Sequence, residues 1–111
     1  MPEWNPPLQL VLTTTASKED AERLGRTLVE ERLAACATLL PGAQSIYHWE
    51  GRIESADETL LLLKTGSEQL AALEIRLHEL HSYQTPEFLV LAVNGGTLPY
   101  LDWLRSALRR Q

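Results

Sequence analysis

The stretch Ser45-Ile46-Tyr47-His48-Trp49-Glu50-Gly51-Arg52-Ile53-Glu54-Ser55-Ala56-Asp57-Glu58-Thr59-Leu60-Leu61-Leu62-Leu63-Lys64-Thr65 decides the fold. Ile46, Tyr47 and Trp49 favour a strand. Glu50-Gly51-Arg52 then reads as a tight reversal, because Gly51 takes positive φ at no steric cost. The return strand runs from Ile53 to Thr65. Its centre, Leu60 to Leu63, is apolar on both faces, the pattern of a strand covered on both sides. Upstream, Ala35-Cys36-Ala37-Thr38-Leu39-Leu40 belongs to the same extended segment, interrupted by Pro41-Gly42. Proline cannot donate to a sheet ladder, so residue 41 marks an edge position or a bend.

Working outward, each arm of this hairpin is flanked by a helix. Before it, Ser17 caps a helix with Glu19 and Asp20 in the first turn, and Ala21, Leu24, Leu28 and Val29 recur on one stripe. Gly25 lies on the same stripe, where it permits close packing. After the hairpin, Ser67 opens a second helix whose stripe is Leu70, Leu73, Leu77 and Leu80. The outer strands are Leu8 to Thr15, which alternates, and Phe88 to Val93, which is continuously apolar. Thr97 caps a last helix carrying Leu98, Leu101, Leu104 and Leu108. The order is strand, helix, strand, strand, helix, strand, helix. Its first six elements are the split βαβ pattern of an α+β, ferredoxin-like fold. Right-handed crossovers put the first and third strands in the centre and the second and fourth at the edges.

The chain has 111 residues, the size of one domain. Residues 1–7, with three prolines, read as a loose arm that Trp4 would pin, and residues 8–110 as the domain. A net charge of −5 argues against nonspecific nucleic-acid binding, which rests on a concentrated excess of Lys and Arg. The single cysteine, Cys36, excludes an intramolecular disulfide and favours a reducing compartment. The opening residues lack the pattern of a secretory leader, and no apolar run approaches the ~20 residues of a membrane span. A cytoplasmic protein without membrane insertion is the expectation.

The topology leaves a long edge strand bearing Ile46, Tyr47 and Trp49. Lone domains blunt such edges. The expectation is a homo-oligomer of closed cyclic symmetry joined partly by strand pairing. The alternative is that the last helix covers the edge.

Arg32-Leu33-Ala34-Ala35-Cys36-Ala37, Leu40-Pro41-Gly42, Ser45 to Gly51, Leu63-Lys64-Thr65, His81-Ser82-Tyr83-Gln84-Thr85-Pro86-Glu87 and Tyr100-Leu101-Asp102-Trp103-Leu104 resemble the CutA family in order and spacing. The resemblance implies a ferredoxin-like subunit in a tight homotrimer. It also implies a role in divalent-cation tolerance, with copper binding in bacterial members, and a trimer shaped like the PII signalling proteins. It further implies a cleft between subunits lined by Tyr47, Trp49, Lys64, His81, Tyr83 and Glu87. The chain has Ala16-Ser17 and Leu80 where some copper-binding relatives carry a further cysteine and a second histidine.

Read as chemistry, His81 is the leading metal candidate, since imidazole suits copper and zinc and the carboxylate of Glu87 can complete such a site. Glu74 and His78 precede His81 at helical steps. Cys36 is the only thiol and a third candidate ligand; between Ala35 and Ala37 it reads as a packed one. Tyr47 and Trp49 read first as interface anchors. Glu50, Glu54, Asp57 and Glu58 form an acidic tip that reads as a solvated turn. With no glycine-rich phosphate loop and no histidine placed by spacing beside Cys36, the chain is not expected to be an enzyme. The expected function is a small trimeric binding protein linked to divalent-cation tolerance, with a weakly held copper or zinc ion or a small ligand, and with a further protein partner left open. The alternative is a PII-like sensor binding a metabolite or nucleotide, against which the short Glu50-Gly51-Arg52 reversal counts, since such sensors signal through a mobile loop.

Overall fold

The hairpin forms, and it is longer than the sheet that carries it. In the computed structural model, which describes residues 6–110, the elements are β1 (Leu8–Thr15), α1 (Lys18–Glu30), β2 (Cys36–Trp49), β3 (Arg52–Gly66), α2 (Leu70–Leu80), β4 (Leu89–Ala92) and α3 (Leu98–Ser106). Glu50 and Gly51 link β2 to β3 with φ of 50° and 78°. Positive φ at both central residues is the signature of the primed turn that matches strand twist. The four strands form an antiparallel sheet in the order β2-β3-β1-β4, with β1 and β3 central as expected.

Cross-strand partners share a face, so the register sorts the side chains. Val11, Leu61 and Leu63 lie under α1 and α2, packed with Leu24, Leu28, Leu73 and Leu77 in the main core. Gly25 brings α1 close to β2: a Cβ there would sit 3.0 Å from the Ala37 Cβ. Leu10, Leu12, Leu60, Leu62, Leu89 and Leu91 fall on the opposite face. There α3 covers only one end, burying Leu8, Ala35, Leu104 and Leu108 together. The second face of the leucine run is therefore half-covered, and Leu89, Val90 and Leu91 of the short strand β4 are exposed.

The β1 ladder stops at Thr15–Thr59, whereas β2 and β3 stay paired out to Trp49–Arg52. Residues 43–58 thus form a two-stranded arm beyond the sheet. Seven residues per strand reach about 23 Å. The arm accounts for a 55 Å long axis against 25 and 22 Å, and for a radius of gyration of 15.1 Å. A compact chain of this length measures about 13 Å. The β-bulge between Leu40 and Ala43 contains Pro41 and Gly42 (φ 82°), so Pro41 marks both an edge and a bend. On the arm Ile46, Trp49 and Ile53 are 68%, 61% and 63% exposed. The last helix does not cover this edge: Trp103 of α3 reaches only the start of β2, beside Ala35 to Leu39. Trp103 is itself half exposed rather than packed away.

One expectation needs correction. The second helix begins at Leu70, not Ser67, because the Ser67 N–H donates to the Pro7 carbonyl at 2.9 Å and residues 66–69 close a turn. Of the arm expected over residues 1–7, residues 1–5, including Trp4, lie outside the described residues. Pro6 and Pro7 are tied down, Pro6 by a hydrogen bond from Arg105 Nε.

Candidate functional site

Where β1 ends, the side chains of His81, Tyr83 and Glu58 meet beside the Thr14 carbonyl. Helix α2 stops at Leu80, and His81 takes an extended backbone that turns its ring away from the helix. Nε2 of His81 donates to the Thr14 carbonyl at 2.8 Å, and Nδ1 accepts the Tyr83 N–H at 3.0 Å. The two partners fix the tautomer with its proton on Nε2. The Tyr83 ring lies 4.8 Å from the His81 ring, and its hydroxyl donates to Glu58 Oε2 at 2.7 Å. Glu58 stands on β3 opposite Ala43, at the bulge where the arm leaves the sheet.

The electrostatics separate the two carboxylates here. Burial pushes the Glu58 carboxyl up, but hydrogen bonds from Ser45, Tyr83 and Thr14, with His81 nearby, outweigh it and leave it below its ordinary value. Glu87 is pushed up, first by burial and then by the Glu58 charge. The Tyr83 phenol is raised by burial and by its bond to Glu58, so it stays a donor. Two acids held apart in this way can play different roles. Glu58 is held toward its anionic form, and Glu87 takes up a proton more readily than an ordinary glutamate.

A second cluster occupies the other end of β3. Lys64 Nζ donates to the Tyr100 hydroxyl at 2.9 Å and lies 5.3 Å from that ring's centre. This contact raises the ammonium's pKa against a smaller opposing effect of burial. Cys36 pairs with Lys64 across the ladder, and its Sγ is 3.9 Å from Thr38 Oγ1. The thiol is half-exposed on the open face, which corrects the expectation of a packed one. Strand alternation is the reason: Ala37, on the other face, packs toward α1, and Cys36 points away from it.

Within one chain the residues expected to share a cleft are therefore divided. His81, Tyr83 and Glu87 meet around Glu58, with Tyr47 close enough for its charge to act on Tyr83. Lys64 is six residues further along β3, about 20 Å away. Trp49 is at the tip of the arm. The expected row of Glu74, His78 and His81 does not form, since His81 has left the helical face and His78 Nδ1 lies 3.4 Å from its own Glu74 carbonyl. Among the described residues no group of three or more His, Cys, Asp or Glu is placed to hold a metal ion. The acidic tip is dispersed as well: Glu54 pairs with Arg52 at 3.6 Å, and Glu58 turns inward. Glu58 is the member that composition alone concealed. Its signal is position, on the strand facing the Pro41-Gly42 bulge.

A ferredoxin-like sheet with a projecting arm and a divided polar cleft defines a class of small α+β subunit. The family model described as CutA1 divalent ion tolerance protein matches residues 9–107, and the chain belongs to this family. A divalent-cation tolerance protein CutA from Citrobacter koseri is 49% identical over 105 residues, covering 94% of this chain and 90% of that one. The crystal structure of CutA1 from Oryza sativa superposes with a TM-score of 0.93 at 37% identity, covering 96% and 98% of the two chains. The periplasmic divalent cation tolerance protein CutA from Archaeoglobus fulgidus superposes with a TM-score of 0.88 at 34% identity, covering 92% and 99%. No helix among the described residues is long and apolar enough to cross a membrane.

Proposed function

We propose that the chain works as a homotrimer in divalent metal ion tolerance, copper included, and that its ligand cleft is completed between subunits. The observation that carries this is the arm over residues 43–58. A two-stranded hairpin is marginal in water by itself. This one holds exposed Ile46, Tyr47, Trp49 and Ile53, an apolar surface that a neighbouring copy would cover. The same contact would carry one subunit's Lys64 or Trp49 toward another's His81, Tyr83 and Glu87, joining the two halves that a single chain keeps about 20 Å apart.

In this reading the cation, copper or zinc, is weakly held cargo. His81 and Glu87 supply donors, and Cys36 of a neighbour is a further one. His81 takes part by releasing the Tyr83 amide from Nδ1. The reading is of a binding protein rather than an enzyme: Cys36 stands opposite Lys64 in the ladder, and Lys64 in turn donates to Tyr100. The lone free cysteine supports a cytoplasmic location. Light scattering at micromolar concentration is expected to return three times the chain mass, and a monomer refutes the cleft. Calorimetric titration of the trimer with Cu(II) and Zn(II) is expected to show binding weakened in His81→Ala and in Glu87→Gln. Equal heats in wild type and both variants would remove these residues as ligands. A nucleotide that raised the trimer's Tm would favour the sensor reading instead.

A further inference from the structure

A cavity of about 200 Å³ opens at the opposite end of β3 from Glu58, where the start of β1, the β3–α2 turn and the end of α3 converge. Among the described residues Arg105, Arg109 and Arg110 line it, with Glu68 as the one carboxylate. In a chain whose net charge is −5, three of the ten basic residues thus surround one small space. The rest of the wall includes Leu8 and Leu108.

Arg105 and Arg109 are held in place. Arg105 Nε donates to the Pro6 carbonyl at 3.1 Å, which fixes the plane of its guanidinium. Its Nη1 lies 3.8 Å from Asp102, a long contact that leaves the fork open. The Arg109 backbone N–H donates to the Arg32 carbonyl at 2.8 Å, and its Nη2 to the Glu31 carbonyl at 3.0 Å. The Arg109 carbonyl accepts from Gln69 Nε2, and Gln69 is only 4% exposed. Complementing the α3 dipole would require basic residues in the last turn of that helix alone. It does not account for Arg109 pinned beyond the helix beside an open space.

We propose that this cavity binds a small multivalent oxyanion, a phosphate monoester or a di- or tricarboxylate. Guanidinium forks pair two-to-two with such oxygens. The apolar wall accepts a short carbon skeleton, and the volume equals about six or seven waters. The site shares no residue with the cleft proposed above.

The test titrates the intact assembled protein with inorganic phosphate, glycerol 3-phosphate and citrate, by calorimetry and by thermal shift, at an ionic strength held constant with NaCl. Saturable binding of at least one anion is expected. Arg105→Gln should weaken it about tenfold or more, the scale of a charge-assisted pair. Because Arg105 also holds Pro6, two variants that leave that bond intact carry the decision. Arg110→Gln should weaken binding and Glu68→Gln should strengthen it, each about threefold, the scale of an exposed charge. A preference for glycerol 3-phosphate assigns the phosphate ester, and a preference for citrate the carboxylate. No binding by any of the three anions, or equal affinity in wild type, Arg110→Gln and Glu68→Gln, overturns the proposal.

Discussion

Replacing Gly25 by alanine sets two opposing effects against each other. Alanine favours the middle of a helix over glycine by about 1 kcal/mol. The new methyl, however, would sit 3.0 Å from the Ala37 Cβ and 3.4 Å from Leu61 Cδ1. Leu61 can rotate by a few tenths of an ångström. Ala37 cannot, because its Cβ is fixed to a backbone paired with Leu63 in the ladder. Overpacking of this kind costs about 1–3 kcal/mol. The expected net is a loss of up to about 2 kcal/mol, or about 4 °C in Tm for each kcal/mol lost. The informative measurement is the double-mutant cycle. Ala37→Gly weakens the strand on its own, yet it removes the atom that Gly25→Ala strikes. In the Ala37→Gly background Gly25→Ala should therefore stabilise by about 1 kcal/mol, the bare helix preference. The coupling between the two positions should be about 1–3 kcal/mol. Urea denaturation at one protomer concentration measures all four corners, since stability linked to assembly varies with concentration. Additive effects of the two substitutions would refute the claim that α1 and β2 meet at these atoms.

The carboxylates around Tyr83 predict opposite pH responses. Glu87 is raised above its ordinary 4.5, so the folded state binds its proton more tightly and stability falls as pH rises from 4.5 through the raised value. Glu87→Gln should remove that slope and stabilise the protein at pH 7. Glu58 is lowered, so its contribution is present above 4.5 and lost as pH falls through the lowered value. Glu58→Gln should therefore destabilise at pH 7 and flatten the acid limb; urea titrations from pH 3 to 8 that show the same sign for both variants would contradict the assignment. Thr65 Oγ1 donates to the Leu33 carbonyl at 2.7 Å within the core, so Thr65→Val should cost about 1–3 kcal/mol, read as a lower urea midpoint at unchanged slope. Arg76 clamps Glu31 through contacts of 2.9–3.2 Å and holds its carboxyl below the ordinary value. Arg76→Ala should lower Tm at pH 7 and low salt, with the difference shrinking in 1 M NaCl and disappearing as pH falls through the lowered value of Glu31.

Much of the site's geometry was invisible before the chain was folded. His81 was legible as a special residue, but not as a clamp between Thr14 and Tyr83, because its helix ends one residue earlier and nothing local states where the ring then points. Glu58 looked like one acid among several in a turn. Its distinction comes from Tyr83, twenty-five residues away in sequence. The apolar neighbours of Cys36 suggest a packed thiol, whereas which side of a strand faces the helices is set by register. Helix α2 starts at Leu70 rather than Ser67 because Pro7, some sixty residues upstream, takes the amide of Ser67.

The sequence by itself determined the number, order and kind of elements, down to Ser17 as a cap, the Glu50-Gly51 reversal and the interruption at Pro41. Those follow from periodicity and backbone chemistry, which act within a few residues. Crossover handedness then sufficed to place β1 and β3 in the centre. Only the tertiary structure decided that β2 and β3 outrun β1, that α3 leaves most of the second leucine face open, and that Lys64 and Glu58 stand at opposite ends of one strand. Strand register and helix docking are contacts between residues far apart in the chain, and their free energies depend on partners that no local pattern names.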